Sequence, residues 1–364
     1  MSSVFICAFG TSMSFYLLLS VVPLYVGGLG AGFATGALMF ATVAAELVTP
    51  ALLARFGYRR VFAAGMVLLG VPALALPVAH SLAAVLAICA VRGVGFAITV
   101  VVSIAVVAVA VPSERRGEGL GLYGIVVNVP AIIGLPLGVW LATNVGYTPV
   151  FVAGACAALA GLVVVPGLPT RAPSADAPIA LGTAARNPAL FRIAIIFAAT
   201  TLAAGAVATF LALAVGRGAA LALFVQAAAA TLSRWWAGRF GDRHGPARLF
   251  RPSVLIAAVG IAALVLINRP AAVLIGMLVF GIGFGAAQNA SLAMMYDRVS
   301  ASGYDTISAL WNLAYDVGYG LGGAGFGLLA LRAGYPLAFG ATAVLIALTL
   351  VRTGQLSPAY DVAT

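Results

Sequence analysis

The chain has 364 residues, of which 63% are hydrophobic and 8% are charged, and its formal net charge is +10. A composition this apolar excludes a soluble globular protein and predicts a membrane protein built from apolar helices. All of the basic residues are arginine, which together with the abundant alanine and glycine indicates a GC-rich bacterial genome.

Twelve apolar stretches are long enough for a membrane-spanning helix, which needs about 20 residues. In chain order they are 3–26, 34–53, 61–80, 82–110, 119–142, 149–168, 192–215, 219–238, 252–268, 270–294, 305–330 and 335–352. The polar stretch 169–191 is predicted to link two halves, 1–168 and 192–352, and 353–364 forms a tail. The sequence thus predicts an all-α membrane protein of twelve transmembrane helices in two pseudo-symmetric halves. No basic segment precedes the first stretch, so a cleavable signal peptide is not expected.

The two halves repeat at a gap-free offset of 188 residues. The matching pairs include Arg55 with Arg243, Gly57 with Gly245, Arg60 with Arg248, Gly93 with Gly281, Gly95 with Gly283, Ser103 with Ser291 and Gly146 with Gly334. Internal repeats dictate architecture. Parallel halves related by an axis along the membrane normal are one of the known transporter plans.

Arginine is unevenly distributed among the predicted connections. The even-numbered connections and the tail hold fourteen arginines, whereas the odd-numbered ones hold three, namely Arg217, Arg269 and Arg332. Because cytoplasmic loops carry an excess of basic residues, both termini are predicted to lie in the cytoplasm, with the chain in the inner or plasma membrane. The basic loops then account for the net charge, and nucleic-acid binding is not expected.

Polar residues inside the predicted helices indicate which helices face an aqueous path, because such residues are costly in hydrocarbon. They form stripes on the first, second, fourth, seventh, eighth, tenth and eleventh predicted helices. Thr42, Glu46 and Thr49 form the stripe on the second, and Thr99 and Ser103 belong to that on the fourth. The third, sixth, ninth and twelfth predicted helices carry almost none, so they are expected to face lipid.

Three ionisable residues are predicted near the middle of the membrane. At about 1.5 Å per residue, Arg92, Glu46 and Asp316 lie roughly 12–16 Å from a helix end. A charge at that depth costs several kcal/mol unless it is paired or hydrated, so we expect these residues to bind substrate or carry protons. The alternatives are an arginine bound structurally to backbone carbonyls or to an acid, and a neutral acid hydrogen-bonded between helices. The amides expected to join this site are Asn128, Gln288, Asn289 and Asn312.

The connection after the eighth predicted helix reads Gly238-x-x-x-Asp242-Arg243-x-Gly245-x-x-Arg248. It resembles the signature loop of the major facilitator superfamily of transporters, which latches the two halves on the cytoplasmic side. The first copy departs from that pattern, with Pro50 and Ala54 in place of glycine and aspartate, so the second copy is expected to carry more of the latch. The residues assigned to gating here are Arg55, Arg60, Arg234, Gly238, Asp242, Arg243 and Arg248, with Glu114, Arg115, Arg116 and Glu118 as candidate partners or a solvated loop.

Two further motifs resemble those of proton-linked members of the superfamily. Arg92-x-x-Gly95 resembles their fourth-helix motif. Gly134-Leu-Pro136-Leu-Gly138 partly resembles the fifth-helix motif of drug–proton antiporters. Its glycines and proline predict a kinkable helix with a small-residue face, which would take part in gating; plain helix packing is the alternative.

The resemblance implies a secondary transporter similar to drug–proton antiporters and sugar-efflux permeases. Its halves would rock about a midplane site, exchanging protonation of Asp316 or Glu46 for export of a small organic substrate. The alternatives are an uptake permease of the same fold and a transport-inactive sensor or scaffold.

An enzyme, a cofactor and a metal site are not expected, because the chain lacks His-Glu-x-x-His and a nucleotide-binding loop. The expected partners are the substrate, protons and the lipid bilayer, with the protein as a monomer. Cys7, Cys89 and Cys156 lie in apolar stretches and are predicted to be small buried hydrophobes.

Overall fold

The computed structural model describes residues 2–110, 116–169, 186–299 and 303–352, and within these ranges the secondary structure is helical. The elements, with η for a 3₁₀ helix, are α1 Ser2–Leu19, α2 Val21–Val26, α3 Gly28–Gly70, η1 Val71–Val78, α4 Leu82–Ala110, α5 Arg116–Asn144, α6 Tyr147–Ala160, η2 Gly161–Gly167, α7 Pro188–Val215, η3 Gly216–Gly218, α8 Ala219–His244, α9 Ala247–Ala263, η4 Leu264–Leu266, α10 Pro270–Tyr296 and α11 Tyr304–Arg352.

Among the described residues, nine helical stretches are long and apolar enough to cross a membrane. Two of them, Gly28–Val78 with 51 residues and Thr306–Val351 with 46, exceed the length that one crossing needs. Each contains a glycine with non-helical backbone angles, Gly57 in the first and Gly334 in the second. Each therefore contains two helical segments that meet at a break. The total of twelve spanning helices stays a prediction.

Several predicted helix boundaries are wrong. The helix predicted over 34–53 begins earlier, at Gly28 of α3. The helix predicted over 61–80 corresponds to the part of α3 after the break at Gly57 together with η1, which ends at Val78. The helix predicted to begin at 192 begins at Pro188, inside the predicted linker, since a proline is well accommodated in the first turn of a helix.

The sequence repeat is also a structural repeat. Glycines with positive φ occur in pairs 188 residues apart, namely Gly28 with Gly216, Gly57 with Gly245 and Gly146 with Gly334. Helix packing repeats at the same offset, with Gly93 against Leu38 as Gly281 is against Gln226, and Gly95 against Leu69 as Gly283 is against Ala257. In each case the glycine and the residue it packs against are both 188 positions later in the second half than in the first. The same sequence positions therefore make the same helix contacts twice.

The chain divides into two compact units. Unit 1 comprises Met1–Ala175 and Ala208–Phe224, and unit 2 comprises Asp176–Val207 and Val225–Thr364. The halves predicted from the repeat, 1–168 and 192–352, stay a prediction, as do the linker 169–191 and the tail 353–364, which lie partly or wholly outside the described residues.

Each unit packs around large apolar side chains. The core of unit 1 includes Phe62, Met66, Ile98 and Val102, which bring α3 and α4 together. In unit 2 the buried side chains include Phe250 of α9, Phe280 of α10 and Phe339 of α11. Glycines at these contacts let the helix backbones approach closely, as is common in membrane helices.

The segments predicted to face lipid carry exposed apolar side chains. Val78, Val163, Val259 and Val351, one from each of the third, sixth, ninth and twelfth predicted helices, are 70%, 84%, 64% and 78% exposed. Isolated exposed valines are common in any protein. On helices this apolar, however, they form the surface that hydrocarbon would cover.

The prediction that polar stripes face an aqueous path is wrong for several hydroxyl residues. Thr42, Thr49, Thr99 and Ser103 are buried, and their hydroxyls donate to carbonyls three or four residues earlier in the same helix, at 2.7–2.9 Å. A serine or threonine hydroxyl that donates to its own helix in this way needs no water as a hydrogen-bond partner. Cys156 is a second correction, since it is exposed, whereas Cys7 and Cys89 are buried.

Candidate functional site

Arg92 lies on α4 in unit 1 and is 1% exposed, one of the largest fully buried side chains of the described chain. Its Nε donates a hydrogen bond to the carbonyl of Leu69 on α3 at 3.2 Å. Its Nη2 is buried and has no hydrogen-bond partner among the described residues. The arginine therefore ties two helices together through a backbone carbonyl, as one of the alternatives above requires, while keeping a buried donor for a further group.

The two predicted carboxylates differ in burial. Asp316 on α11 is 7% exposed, whereas Glu46 on α3 is half-buried. Asn312 precedes Asp316 by one helical turn, so both occupy the same face of α11. Arg92 belongs to unit 1 and Asp316 to unit 2.

Unit 2 brings together two residues for which the sequence predicts different roles. Arg234, assigned to gating, donates from Nη1 to Oε1 of Gln288, assigned to the binding site, at 3.1 Å. The guanidinium carbon of Arg234 also lies 5.9 Å from the centre of the Trp311 ring. The Gln288 amide and the Trp311 indole thus orient the guanidinium of Arg234. Arginine is the residue best suited to planar, multidentate binding of an anionic or carbonyl group.

The residues that hold Arg234 in position are buried and hydrogen-bonded to one another. Trp311 is 8% exposed, and its indole Nε1 donates to the hydroxyl of Ser291 at 2.9 Å. Ser291 in turn donates to the carbonyl of Gln288 at 3.1 Å. Phe197 of α7 packs nearly parallel to Trp311, with ring centres 4.8 Å apart. These contacts fix the rotamer of Trp311 and leave Arg234, which is half-buried, as the accessible polar group.

Trp311 and Ser291, which hold this arrangement together, were not predicted from the sequence, and neither was the aromatic side chain next to them. Tyr315 is half-buried, and its ring centre lies 5.8 Å from those of Trp311 and Tyr319. Spacings of four residues place these three side chains along one side of α11. That spacing, beside Asn312 and Asp316, is a signal that could have identified the aromatic wall.

The remaining predicted amides are distributed over both units. A Cβ placed on Gly238 would come within 3.3 Å of Nδ2 of Asn289, so α8 and α10 are in close contact one turn beyond Arg234. In unit 1, Asn128 donates to the carbonyl of Gly124 in its own helix at 2.6 Å. The structure therefore groups Arg234, Gln288 and Asn289, and places Asn128 apart from them.

The two signature loops are charged and exposed. Arg55 and Arg60 in the first copy are exposed, and between them Arg59 donates from Nε to the carbonyl of Leu168 at 2.5 Å, which ties this loop to the end of η2. In the second copy Asp242, Arg243 and Arg248 are exposed. Just after α10, Arg298 is half-buried, and burial lowers the pKa of its guanidinium while the charge of Asp297 acts in the opposite direction. The latch itself stays a prediction.

The small residues of the predicted gating helix pack on α1. A Cβ on Gly134 would lie 3.0 Å from Cβ of Tyr16, and one on Gly138 would overlap the carbonyl of Leu17. Pro136 lies between them inside α5, which remains helical there. The glycines thus permit close α1–α5 packing, which is compatible with either plain packing or sliding.

Glu114 and Arg115 lie outside the described residues, as do the side chains of Arg116 and Glu118. Among the described residues, no group of three or more His, Cys, Asp or Glu side chains is arranged to hold a metal ion.

Comparison with known proteins agrees with this architecture. The sequence model of the Major Facilitator Superfamily matches residues 4–322, with a second match over 216–359. The two matches overlap, as expected of a chain whose halves repeat. A search of curated proteins finds no match.

Solved transporter structures share the fold over nearly their whole length. The nucleoside transporter NupG superposes with a TM-score of 0.73 at 15% identity, covering 97% of this chain and 98% of its own. A bacterial homologue of the human lysosomal transporter Spinster, inward-facing and unoccupied, gives 0.76 at 15%, covering 98% and 97%. A POT family transporter in complex with a thioalcohol-conjugated peptide gives 0.79 at 14%, covering 97% and 96%. Identities this low show a common fold alone.

Proposed function

Because the chain belongs to the Major Facilitator Superfamily, and is therefore a multi-pass membrane transporter rather than an enzyme, we propose that it exports a small organic molecule in exchange for protons. Asp316 carries this proposal. It is 7% exposed on α11, within an apolar helical stretch of 46 residues. A carboxylate at such a position marks a proton or substrate pathway in membrane proteins.

Proton exchange at Asp316 follows from the cost of burying charge. An ionised carboxylate in a water-poor site is unfavourable unless a cation or donors compensate for the lost hydration. Protonation removes that cost. A site whose surroundings differ between inward-open and outward-open states would therefore release its proton in one state and bind it in the other. Glu46, which is half-buried, is the second candidate for this role.

The substrate would contact the Arg234 cluster, which we define as Arg234, Gln288, Ser291 and Trp311. Its buried members hold each other by hydrogen bonds, so that Arg234 is presented in a fixed orientation. Ligand sites are typically apolar with a few precisely placed polar groups, and Tyr315 with its neighbouring rings supplies the apolar part. Asn289 and Asn312 would add hydrogen bonds.

Gating would use the exposed arginines of the two signature loops and the close α1–α5 contact at Gly134 and Gly138. On the arginine distribution given above, we place both termini in the cytoplasm and the chain in the inner or plasma membrane. A monomer is the state proposed for it.

A vesicle assay tests the proposal. Everted vesicles that contain the protein receive an imposed pH gradient, acid inside, and a panel of organic compounds. We expect at least one compound to accumulate only while the gradient lasts, and a protonophore to abolish the accumulation. If the gradient instead drives substrate out of preloaded vesicles, the protein is an uptake permease. Absence of flux for every compound would favour the sensor or scaffold.

A further inference from the structure

One face of α8 carries an exposed stripe that changes character along the helix. The exposed stripe consists of Leu232, Trp235, Trp236, Arg239 and Arg243. The first three are 67%, 58% and 49% exposed, and both arginines are exposed. Spacings of three and four residues keep these side chains on one side of the helix. Over about 16 Å, at about 1.5 Å per residue, the surface passes from aliphatic to aromatic to cationic.

The exposed stripe lies on a different side of α8 from the Arg234 cluster. Ser233 donates to the carbonyl of Ile282 at 2.6 Å, and Ala237 is 0% exposed, so these residues mark the side of α8 that packs on α10. Arg234 points to Gln288 on that same helix. Leu232, Trp236 and Arg243 are separated from Arg234 by about half a turn. The stripe is thus a second surface, distinct from the Arg234 cluster.

Arg239 is held in place by an aromatic neighbour. Its guanidinium carbon lies 3.9 Å from the centre of the Trp235 ring, a close cation–π contact. This contact positions the guanidinium without satisfying its N–H donors, which point along the edges of the plane. In the segment 232–248 the sequence has four arginines against one acid, Asp242. The stripe therefore ends in a positively charged region with pre-oriented donors.

We propose that the exposed stripe binds the phosphate group of an anionic phospholipid. Leu232 would contact the acyl chains, the two tryptophans would lie at the level of the interface, and Arg239 with Arg243 would hold the phosphate. The order apolar, tryptophan, arginine along one helix face matches the order of hydrocarbon, interface and phosphate in a bilayer.

Native mass spectrometry of the full chain in detergent tests this site. The purified protein is titrated with phosphatidylglycerol or with phosphatidylcholine, and the lipid-bound fractions give dissociation constants. We expect tighter binding of phosphatidylglycerol to the unmodified chain. Arg239→Gln should weaken that binding about fivefold, the effect of one arginine close to a charged lipid surface, and Trp235→Leu should weaken it as well.

Arg332→Gln is the matched control, because Arg332 is exposed on α11 and lies outside the stripe. It should leave the affinity for phosphatidylglycerol unchanged. Melting temperatures of all variants establish that they remain folded. Equal affinity for the two lipids, or equal effects of Arg239→Gln and Arg332→Gln, would overturn the proposal. Neither result bears on transport, which the vesicle assay measures separately.

Discussion

Arg92 donates a hydrogen bond from its Nε to the carbonyl of Leu69 at 3.2 Å, which joins the middle of α4 to the end of α3 in unit 1. The same guanidinium keeps a buried Nη2 without a partner among the described residues. Its burial and its unpaired Nη2 make Arg92 a candidate for binding a further group as well as for joining the two helices. A fully satisfied structural arginine would leave no donor unpaired in so costly an environment.

Arg92→Met should therefore affect both stability and coupling. The lost hydrogen bond to a charged donor is worth about 1.5–3 kcal/mol, so the melting temperature should fall. Uphill transport should be lost, and substrate binding should become less sensitive to pH. Thermal melts and binding measured across a pH series check this. Thr99→Val, which removes only an intrahelical hydroxyl bond, is the control; a lowered melting temperature with an unchanged pH profile would make Arg92 purely structural.

Glycine packing between α3 and α4 is the basis of a second prediction. A Cβ on Gly95 would overlap the backbone of Leu69 and Gly65, whereas one on Gly124 would meet nothing within 4 Å. Gly95→Ala should therefore destabilise the protein by about 1–3 kcal/mol, the usual cost of overpacking. Gly124→Ala, inside α5, should melt at the same temperature as the unmodified protein or slightly above it, because alanine is the better helix former. Equal melting temperatures for the two variants would show that the helices separate without cost.

The repeat was predictable from the sequence, whereas contacts that depend on helix packing were not. The offset of 188 predicted that Gly57 and Gly245 occupy equivalent positions, and both have a positive φ. It could not predict that Arg234 bonds to Gln288, because that contact depends on which faces of α8 and α10 meet. Thr42 and Ser103 were misinterpreted for a related reason, since a hydroxyl bonded to its own helix needs no water.

Membrane orientation gives a third prediction. Cysteines introduced at Ser174 and Thr364, both outside the described residues, should react with an impermeant thiol reagent only from the cytoplasmic side. Because Cys156 is exposed, the experiment needs a background in which it is replaced by serine. Labelling of either position in intact cells would reverse the orientation deduced from the arginines.

The Arg234 cluster gives a fourth prediction. Arg234→Lys keeps the charge but removes the planar fork, so substrate affinity should fall about tenfold, the loss expected for one hydrogen bond of a charged group. Trp311→Phe removes the indole donor to Ser291 and should have a smaller effect in the same direction. Calorimetric binding to the purified protein checks both. Unchanged affinity in Arg234→Lys would remove the cluster from the binding site.

Pre-organisation of the cluster explains the expected order of these two effects. Arg234 is half-buried and would touch the substrate, whereas Trp311 is buried and acts by holding Arg234 in position. Replacing a positioning residue loosens the site but leaves its charged donors in place. The matched control is again Arg332→Gln, which lies outside the cluster and should bind substrate as the unmodified chain does.

Proton coupling at Asp316 is tested most directly by flux with and without a pH gradient in one preparation. In everted vesicles, Asp316→Asn should abolish gradient-driven accumulation, because the amide permanently resembles the protonated acid, while exchange of substrate down its own gradient persists. Asp361→Asn, in the predicted tail, should accumulate substrate normally. If Asp316→Asn kept full gradient-driven accumulation, the proton site would move to Glu46. Retention of gradient-driven accumulation in the double variant Asp316→Asn with Glu46→Gln would contradict proton coupling through these carboxylates.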